Sequence, residues 1–152
     1  MIAATNEAIQ SLRVELESVI RAPLEIVFES LLEELGPENE IPGGQPMPMV
    51  IEAWPGGRWF RDLGAKTGHL WGHVQVIKPP TLLEISGPLF MSYPCANHIQ
   101  YRLVAEGLST RLKFVHRAFG EIDPEHKKGV GEGWNYWLQR VQKTAETKAG
   151  GK

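Results

Sequence analysis

Several histidines in this sequence have spacings that could serve acid–base chemistry or metal binding. His69 and His73 are four residues apart, a spacing at which two histidines on one helix face can share a zinc ion. The residues around them alternate as in a strand, however. Four residues of strand span about 13 Å, whereas zinc ligands lie about 2.1 Å from one ion. We therefore expect no metal site and no cofactor.

His116 has a more informative position. It follows Leu112 and Phe114 at alternate positions of a predicted strand, and such positions share one face. Three roles are open to this imidazole: a hydrogen-bonded core histidine, a hydrogen-bond partner for a ligand, or an acid or base in catalysis. Burial should lower the pKa of the ring by desolvating its charged form. A neutral ring is better suited to orienting a ligand than to binding an anion.

Cys95 and His98 have the spacing of half a zinc site or of a Cys–His pair. The chain contains one cysteine, whereas zinc takes three or four ligands. A catalytic thiolate needs a cationic or basic setting, which closeness in sequence does not provide. We interpret the segment as a loop or the entry of a strand, and we assign no catalytic residue.

Composition and charge exclude several classes of protein. The 152 residues are 42% hydrophobic and 22% charged, with a formal net charge of −2, as in an ordinary globular domain. Dispersed cationic residues argue against nucleic-acid binding, and no apolar stretch approaches the roughly 20 residues that span a bilayer. A single cysteine and the absence of a signal-peptide pattern favour a cytoplasmic protein.

Strands and helices must position these residues. Residues 11–20 alternate as a half-buried strand, and a helix follows from Pro23 to the break at Gly36. Asp123 then caps a long helix that we expect to end near residue 147. Between the helices lie six extended segments, near residues 49–54, 58–62, 69–78, 82–87, 98–105 and 110–117.

This order of elements predicts an α+β fold. We expect a seven-stranded curved antiparallel sheet wrapped around a long C-terminal helix, with a short helix after the first strand. A single domain should span residues 11–147, with flexible tails at 1–10 and 148–152. The alternation does not decide which face of 69–78 points inward.

A cavity follows from the dimensions of these elements. One helix about 10 Å wide cannot cover seven strands spaced about 4.8 Å apart. A dry void of about 300 Å³ would cost about 7 kcal/mol, so the space must be small, hydrated or filled. The residues expected to contact a ligand there are Trp59, Trp71, Phe90, Tyr101, Phe114, His116, Trp134 and Trp137.

Two glycine-containing segments are unusual for their predicted positions. Residues 36–48 carry four prolines and three glycines, and a loop of this length is a lid, a binding loop or a disordered segment. Gly129, Gly131 and Gly133 lie within the predicted C-terminal helix, where each costs about 1 kcal/mol relative to alanine. We expect either a break in the helix there or a close approach to another group.

Five segments of the sequence resemble one known family. In order, within about residues 12–143, they are VIRAPLEIVFESL, PGGRW, GHVQVIKPPTLLEIS, TRLKFVHRAFG and GEGWNYWLQRV. They resemble the bacterial proteins related to the activator of the heat-shock-protein-90 ATPase, within the START-like helix-grip (SRPBCC) superfamily. The resemblance implies a helix-grip fold with a cavity for an apolar or amphipathic ligand. The sequence departs from many relatives at 36–48 and 88–98, which such a fold places near the mouth of the cavity.

The leading hypothesis is non-enzymatic binding of a small apolar or amphipathic molecule between the sheet and the C-terminal helix. Two alternatives remain. One is a cyclase- or dehydratase-type enzyme in which His116 or Tyr101 transfers a proton. The other is a module that contacts a chaperone or another partner, and a homodimer is also open. Stress proteins and lipid carriers occur in the same superfamily, so the resemblance leaves the ligand undefined.

Overall fold

The computed structural model describes residues 2–150 of the chain. Its elements are β1 (Gln10–Ile20), α1 (Leu24–Leu35), β2 (Val50–Ile51), β3 (Arg58–Gly64), β4 (Thr67–Lys78), β5 (Leu82–Gly87), β6 (Cys95–Glu106), β7 (Ser109–Gly120) and α2 (Pro124–Gly150). This order confirms the predicted α+β class, with a short helix after the first strand and a long helix at the C-terminal end.

The seven strands form one antiparallel sheet in the order β1-β7-β6-β5-β4-β3-β2. Strands β2 to β7 each pair with their neighbours in sequence, which is the meander expected from the short connections. The exception is β1, which pairs with β7 along its whole length. The sheet is open, so β1 and β2 are its two edges.

A bulge in β4 changes which side chains of that strand are buried. Trp59 pairs with Gly72 and Phe60 with Leu70, so Trp71 is left as the extra residue. An extra residue in a bulge interrupts strict alternation. Trp71 and Val74 are therefore both buried, although a regular strand would place them on opposite faces. The question left open by the sequence, which face of 69–78 points inward, has no single answer.

The core lies between the concave face of the sheet and one side of α2. That side carries the apolar stripe predicted from helical spacing: Val130, Trp134, Trp137, Leu138, Val141 and Ala145, all of which are buried. The stripe packs against Tyr101 of β6, against Phe114 of β7 and against α1. Burial of these large side chains provides most of the driving force for the fold.

The structure differs from the sequence-based expectations at several element ends. Helix α2 is continuous from residue 129 to 133, so the expected break is absent, and it extends past 147 to Gly150. Lys148, predicted to lie in a flexible tail, instead contacts Glu29 and Glu33 of α1. Residues 151–152 of that predicted tail lie outside the described residues, as does residue 1 of the predicted N-terminal tail. Residues 2–9 precede β1 without regular secondary structure.

Strand β2 is shorter than the predicted segment 49–54. A turn follows it, in which the Trp54 amide donates to Glu52 O and the Gly57 amide to Trp54 O. This turn leaves only Val50 and Ile51 paired with β3. Among residues 2–150, neither helix combines the length and apolar character that crossing a bilayer requires.

Candidate functional site

A pocket of about 360 Å³ opens to solvent beside the N-terminal half of α2. Strands β3 and β4 form one side, and residues 36–49 between α1 and β2, here called the 36–49 loop, form another. The volume lies within the range of about 300–1,000 Å³ that is typical of small-molecule sites. The hollow predicted between sheet and helix is therefore present at this end of the interior.

Aromatic rings form a continuous wall of the pocket. Trp59 and Trp71 pack edge to face with ring centroids 5.0 Å apart, and Trp71 packs against Phe90 at 5.6 Å. Phe90 continues to Trp134 at 6.1 Å, and Trp134 to Trp137 at 6.2 Å. All five residues line the pocket. Interlocked rings of this kind provide a large and rigid apolar surface.

Two of these indoles are held by the C-terminal end of α1. The last carbonyl groups of a helix have no partner within the helix. Trp59 Nε1 donates to Leu35 O at 2.8 Å, and Trp137 Nε1 donates to Glu34 O at 3.1 Å. The same contacts therefore satisfy the end of the helix and fix the rings on two sides of the pocket.

The structure does not place Tyr101, Phe114 or His116 in the pocket wall, which corrects the expectation that they border the cavity. All three are buried in the core between β6, β7 and α2. The Tyr101 ring lies 5.0 Å from that of Phe114 and 5.4 Å from that of Trp137, and Phe114 lies 4.7 Å from Trp134. These rings fill the part of the interior where the sequence predicts open space.

His116 acts on the pocket through Trp134. Its Nδ1 accepts a 3.0 Å hydrogen bond from Trp134 Nε1, which can only donate, so this nitrogen carries no proton. Its Nε2 lies 2.7 Å from Asn97 Oδ1, and Asn97 Nδ2 donates to Pro88 O. Burial lowers the pKa of His116 from 6.5 to about 4. The ring is a neutral core histidine that orients one indole of the wall.

The glycines of α2 have the opposite role to the one expected. Gly129 and Gly133 line the pocket, and a Cβ atom built on either would meet no other atom within 4 Å. No group approaches the helix closely at these positions. The missing side chains instead leave volume in the pocket. Gly131 lies on a different side of the helix and does not line it.

The 36–49 loop is an ordered wall and not a disordered segment. The Met47 amide donates to Asn39 O at 2.8 Å and the Ile41 amide to Gln45 O at 3.0 Å, which closes a compact turn. Gly43 and Gly44 adopt φ angles of +103° and +88°, which residues with a side chain rarely adopt.

Charged residues connect this loop to α2. Glu40, which lines the pocket, accepts a hydrogen bond at Oε1 from Tyr136 Oη at 2.7 Å, and the same oxygen forms an ion pair with Arg140 Nη1 at 2.9 Å. Arg140 Nε also contacts Oε1 of the buried Glu34 at 2.8 Å. The Glu40 carboxylate is thus paired, and it presents little free charge to an occupant of the pocket.

Polar groups are concentrated at the mouth of the pocket. Glu125 and His126 line it from the first turn of α2, and both are exposed. The His126 ring contacts Phe90, and its Nδ1 lies 2.7 Å from Tyr93 Oη. A polar mouth and an apolar interior are the arrangement that suits an amphipathic molecule.

The other residues with possible chemistry lie apart from the pocket. Cys95 is in β6, where burial raises the pKa of its thiol, the reverse of what activates a nucleophile. Within residues 2–150, no cluster of three or more His, Cys, Asp or Glu side chains is arranged to hold a metal ion.

Several residues of the pocket wall were not predicted, although their segments have an unusual proline or glycine content. The length and the proline and glycine content of residues 36–48 left a lid, a binding loop or a disordered segment open, and did not indicate that Asn39, Ile41 and Met47 would line a pocket. The helix glycines indicated an unusual face of α2. Leu35 and His126 had no signal, because their position depends on how the helix ends meet the sheet.

Comparisons with known proteins agree with this architecture. Residues 21–146 match the family model described as Activator of Hsp90 ATPase homolog 1-like protein. No protein with a curated description matches the chain at a significant level.

Solved structures with the same fold come from several bacteria. A protein from Rhizobium leguminosarum is 17% identical with a TM-score of 0.70, covering 93% of this chain and 99% of its own. A protein from Nitrosomonas europaea is 17% identical with a TM-score of 0.67, covering 92% and 97%. CalU16 from Micromonospora echinospora is 18% identical with a TM-score of 0.60, covering 93% and 88%. At these identities the likeness shows the fold alone. Because the family model spans most of the sequence, the chain belongs to the family of Activator of Hsp90 ATPase homolog 1-like proteins.

Proposed function

We propose that the pocket binds a small apolar or amphipathic molecule without changing it chemically. The observation that carries the proposal is an open pocket of about 360 Å³ whose walls are mostly aromatic and aliphatic. Its ligand contacts are Trp59, Trp71, Phe90, Trp134 and Trp137. Apolar surface exposed to water in such a pocket is unfavourable, so an occupant that displaces the water gains free energy.

The rigidity of the wall supports binding. Indole N–H groups of Trp59, Trp134 and Trp137 all donate to protein acceptors, which fixes the rings before a ligand arrives. A surface that is already ordered loses little conformational entropy on binding.

The polar groups at the mouth favour an amphipathic occupant over a pure hydrocarbon. An apolar part would fill the aromatic interior, and a polar end would lie beside the exposed Glu125 and His126. Trp71 Nε1 has no hydrogen-bond partner in the described part of the chain, but it is buried and therefore out of reach of an occupant.

The enzymatic alternative loses the residues on which it depended. Tyr101 and His116 have no exposed surface, and both ring nitrogens of His116 already have partners. Neither can reach a molecule in the pocket, so we do not propose proton transfer through them. The chaperone partner and the cytoplasmic location stay predictions.

Titration with the apolar fluorescent probe N-phenyl-1-naphthylamine tests the proposal. We expect saturable binding to the unmodified protein and, for Gly133→Leu, an affinity lower by about tenfold or more, equivalent to about 1.4 kcal/mol. Gly131→Leu is the matched control, because it adds the same side chain two residues away in the same helix, at a position outside the pocket.

Both leucine variants should retain or gain helix stability, since leucine is a better helix former than glycine. A loss of binding confined to Gly133→Leu therefore reflects filling of the pocket. Equal affinity in all three proteins, or no saturable binding, would contradict the proposal. Native mass spectrometry of freshly purified protein would then identify any molecule that copurifies.

A further inference from the structure

The two edges of the sheet are protected to different degrees. Strand β2 has two residues, and such a short edge offers little backbone for pairing. Strand β1 has eleven residues and pairs with β7 without a register shift. Within residues 2–150, no strand lies on its other side. Proteins usually guard such an edge with a bulge, a proline or charged side chains. Strand β1 has no bulge, proline or lysine, and its charged residues, Arg13, Glu15 and Glu17, include both signs and can therefore pair with a second strand.

The inward-facing side chains of β1 are incompletely covered. Leu12, Val14 and Leu16 face the core but remain half-buried, whereas Ile20 at the end of the strand is buried. Helix α2 contacts this strand near its C-terminal end, where Ser18 Oγ donates to Gln142 Oε1 at 3.1 Å. An apolar row therefore runs along an edge that also carries free backbone groups.

We propose that β1 pairs in antiparallel fashion with β1 of a second copy of this chain, with Val14 opposite itself on the twofold axis. Residues that face each other across two strands lie on the same face of the sheet. If the twofold axis passes through a residue, the apolar side chains of both β1 strands lie on the same face of the joined sheet. If the axis passed between two residues, each apolar side chain would lie opposite a charged or polar side chain of the other strand.

The charges of the outer face select the register. An axis at Arg13 would place two arginines opposite each other, and an axis at Glu15 would do the same with two glutamates. An axis at Leu16 would oppose Glu15 to Glu17 of the partner subunit. Only an axis at Val14 places Arg13 opposite Glu15 of the partner subunit, twice over, without opposing like charges.

The same register pairs the half-buried apolar side chains. Leu12 lies opposite Leu16 of the partner subunit, and the two Val14 side chains meet at the axis. Residues 10–18 of each chain would be paired, giving one continuous sheet of fourteen strands from two sheets of seven. Charge complementarity, apolar contact and free backbone groups thus favour the same partner.

Sedimentation equilibrium from micromolar to several hundred micromolar protein tests the dimer. We expect the unmodified chain to dimerise and Arg13→Glu to weaken the dimer more than tenfold, because it places carboxylates opposite each other. The double variant Arg13→Glu/Glu15→Arg restores opposite charges in the same register and should recover dimerisation. A monomer at all concentrations, or a dimer unaffected by Arg13→Glu, would overturn the proposal.

Cysteine cross-linking tests the register itself. In a Cys95→Ser background, Val14→Cys should form an intermolecular disulfide on mild oxidation, because directly opposed residues lie within disulfide reach. Leu16→Cys is the control, since its own copy would lie about 13 Å away along the strands. Equal cross-linking of the two variants, or none of Val14→Cys, would refute this register. Circular dichroism establishes that each variant is folded.

Discussion

The indole Nε1 of Trp134 donates a 3.0 Å hydrogen bond to Nδ1 of His116. Trp134 lines the pocket, whereas His116 is buried behind it with no exposed surface. The histidine is therefore a positioning residue. Because its second ring nitrogen lies 2.7 Å from Asn97 Oδ1, the neutral ring with a proton on Nε2 satisfies both contacts.

This arrangement makes stability depend on pH. The pKa of His116 is about 4 in the folded protein, against 6.5 for an unperturbed histidine. Between these values the unfolded chain binds the additional proton, so the free energy of unfolding should fall as the pH decreases from 6.5 towards 4. The full effect is about 3 kcal/mol, since one pKa unit corresponds to about 1.36 kcal/mol.

Urea denaturation at pH 7.0, 5.5 and 4.5 measures this dependence. His116→Gln removes the titrating ring, so the variant should be less stable at pH 7 and should lose less stability on acidification than the unmodified protein. His73→Gln, which replaces an exposed histidine by the same residue, glutamine, is the matched control for the substitution itself. Identical slopes for His116→Gln and the unmodified protein would exclude the assigned role of this ring.

A second prediction concerns the ion pair between the two helices. Glu34 is 1% exposed, its Oε1 lies 2.8 Å from Arg140 Nε, and its Oε2 accepts from Thr144. Glu34→Ala removes this buried side chain with both of these contacts and leaves unfilled space, so it should cost about 2–3 kcal/mol even though Arg140 keeps its contact with Glu40. The neighbouring Glu33 forms a more exposed pair with Lys148, and Glu33→Ala should cost less than about 1 kcal/mol.

Guanidinium denaturation of these two variants provides the comparison. Both changes remove one carboxylate from the same helix turn, so helix propensity and net charge change alike. A cost for Glu34→Ala no greater than that for Glu33→Ala would show that the pair does not hold α1 to α2.

The third prediction concerns the 36–49 loop. Tyr136 Oη donates a 2.7 Å hydrogen bond to Glu40, and the contact joins the loop to α2 at the pocket. Tyr136→Phe should weaken it, with faster hydrogen exchange at the amides of Ile41 and Met47 and faster release of a bound probe. The loss of overall stability should stay near 1 kcal/mol, because Arg140 still holds Glu40.

Hydrogen-exchange mass spectrometry and stopped-flow dissociation of N-phenyl-1-naphthylamine measure these effects. Tyr93→Phe is the matched control, because that hydroxyl contacts His126 at the mouth and has no contact with the loop. If Tyr93→Phe accelerates loop exchange as much as Tyr136→Phe, the Glu40 contact is not what holds the loop closed.

The sequence predicted what local patterns determine. Alternation identified β1, and the spacing of Val130, Trp134, Trp137 and Val141 identified the buried side of α2. Strand alternation and helical spacing depend on residues within a few positions of one another, so both patterns can be recognised in the amino-acid sequence. The resemblance to a known family then indicated how the elements assemble.

The sequence did not predict where the hollow lies. Tyr101 and Phe114 were as good candidates for the pocket wall as Trp59, but their rings pack against Trp134 and Trp137 and fill that part of the interior. Which rings fill space and which border it depends on contacts between distant elements. The bulge that turns Trp71 inward is likewise a property of the β3–β4 register.

Tryptophan indole signals in a ¹H–¹⁵N correlation spectrum test the binding site most directly. The chain has five tryptophans, of which Trp59, Trp71, Trp134 and Trp137 line the pocket, whereas Trp54 is 58% exposed and outside it. Titration with N-phenyl-1-naphthylamine should shift the four pocket indole signals saturably and leave that of Trp54 unchanged. Shifts at Trp54 with the other four unmoved, or no saturable shift, would contradict ligand binding in this pocket.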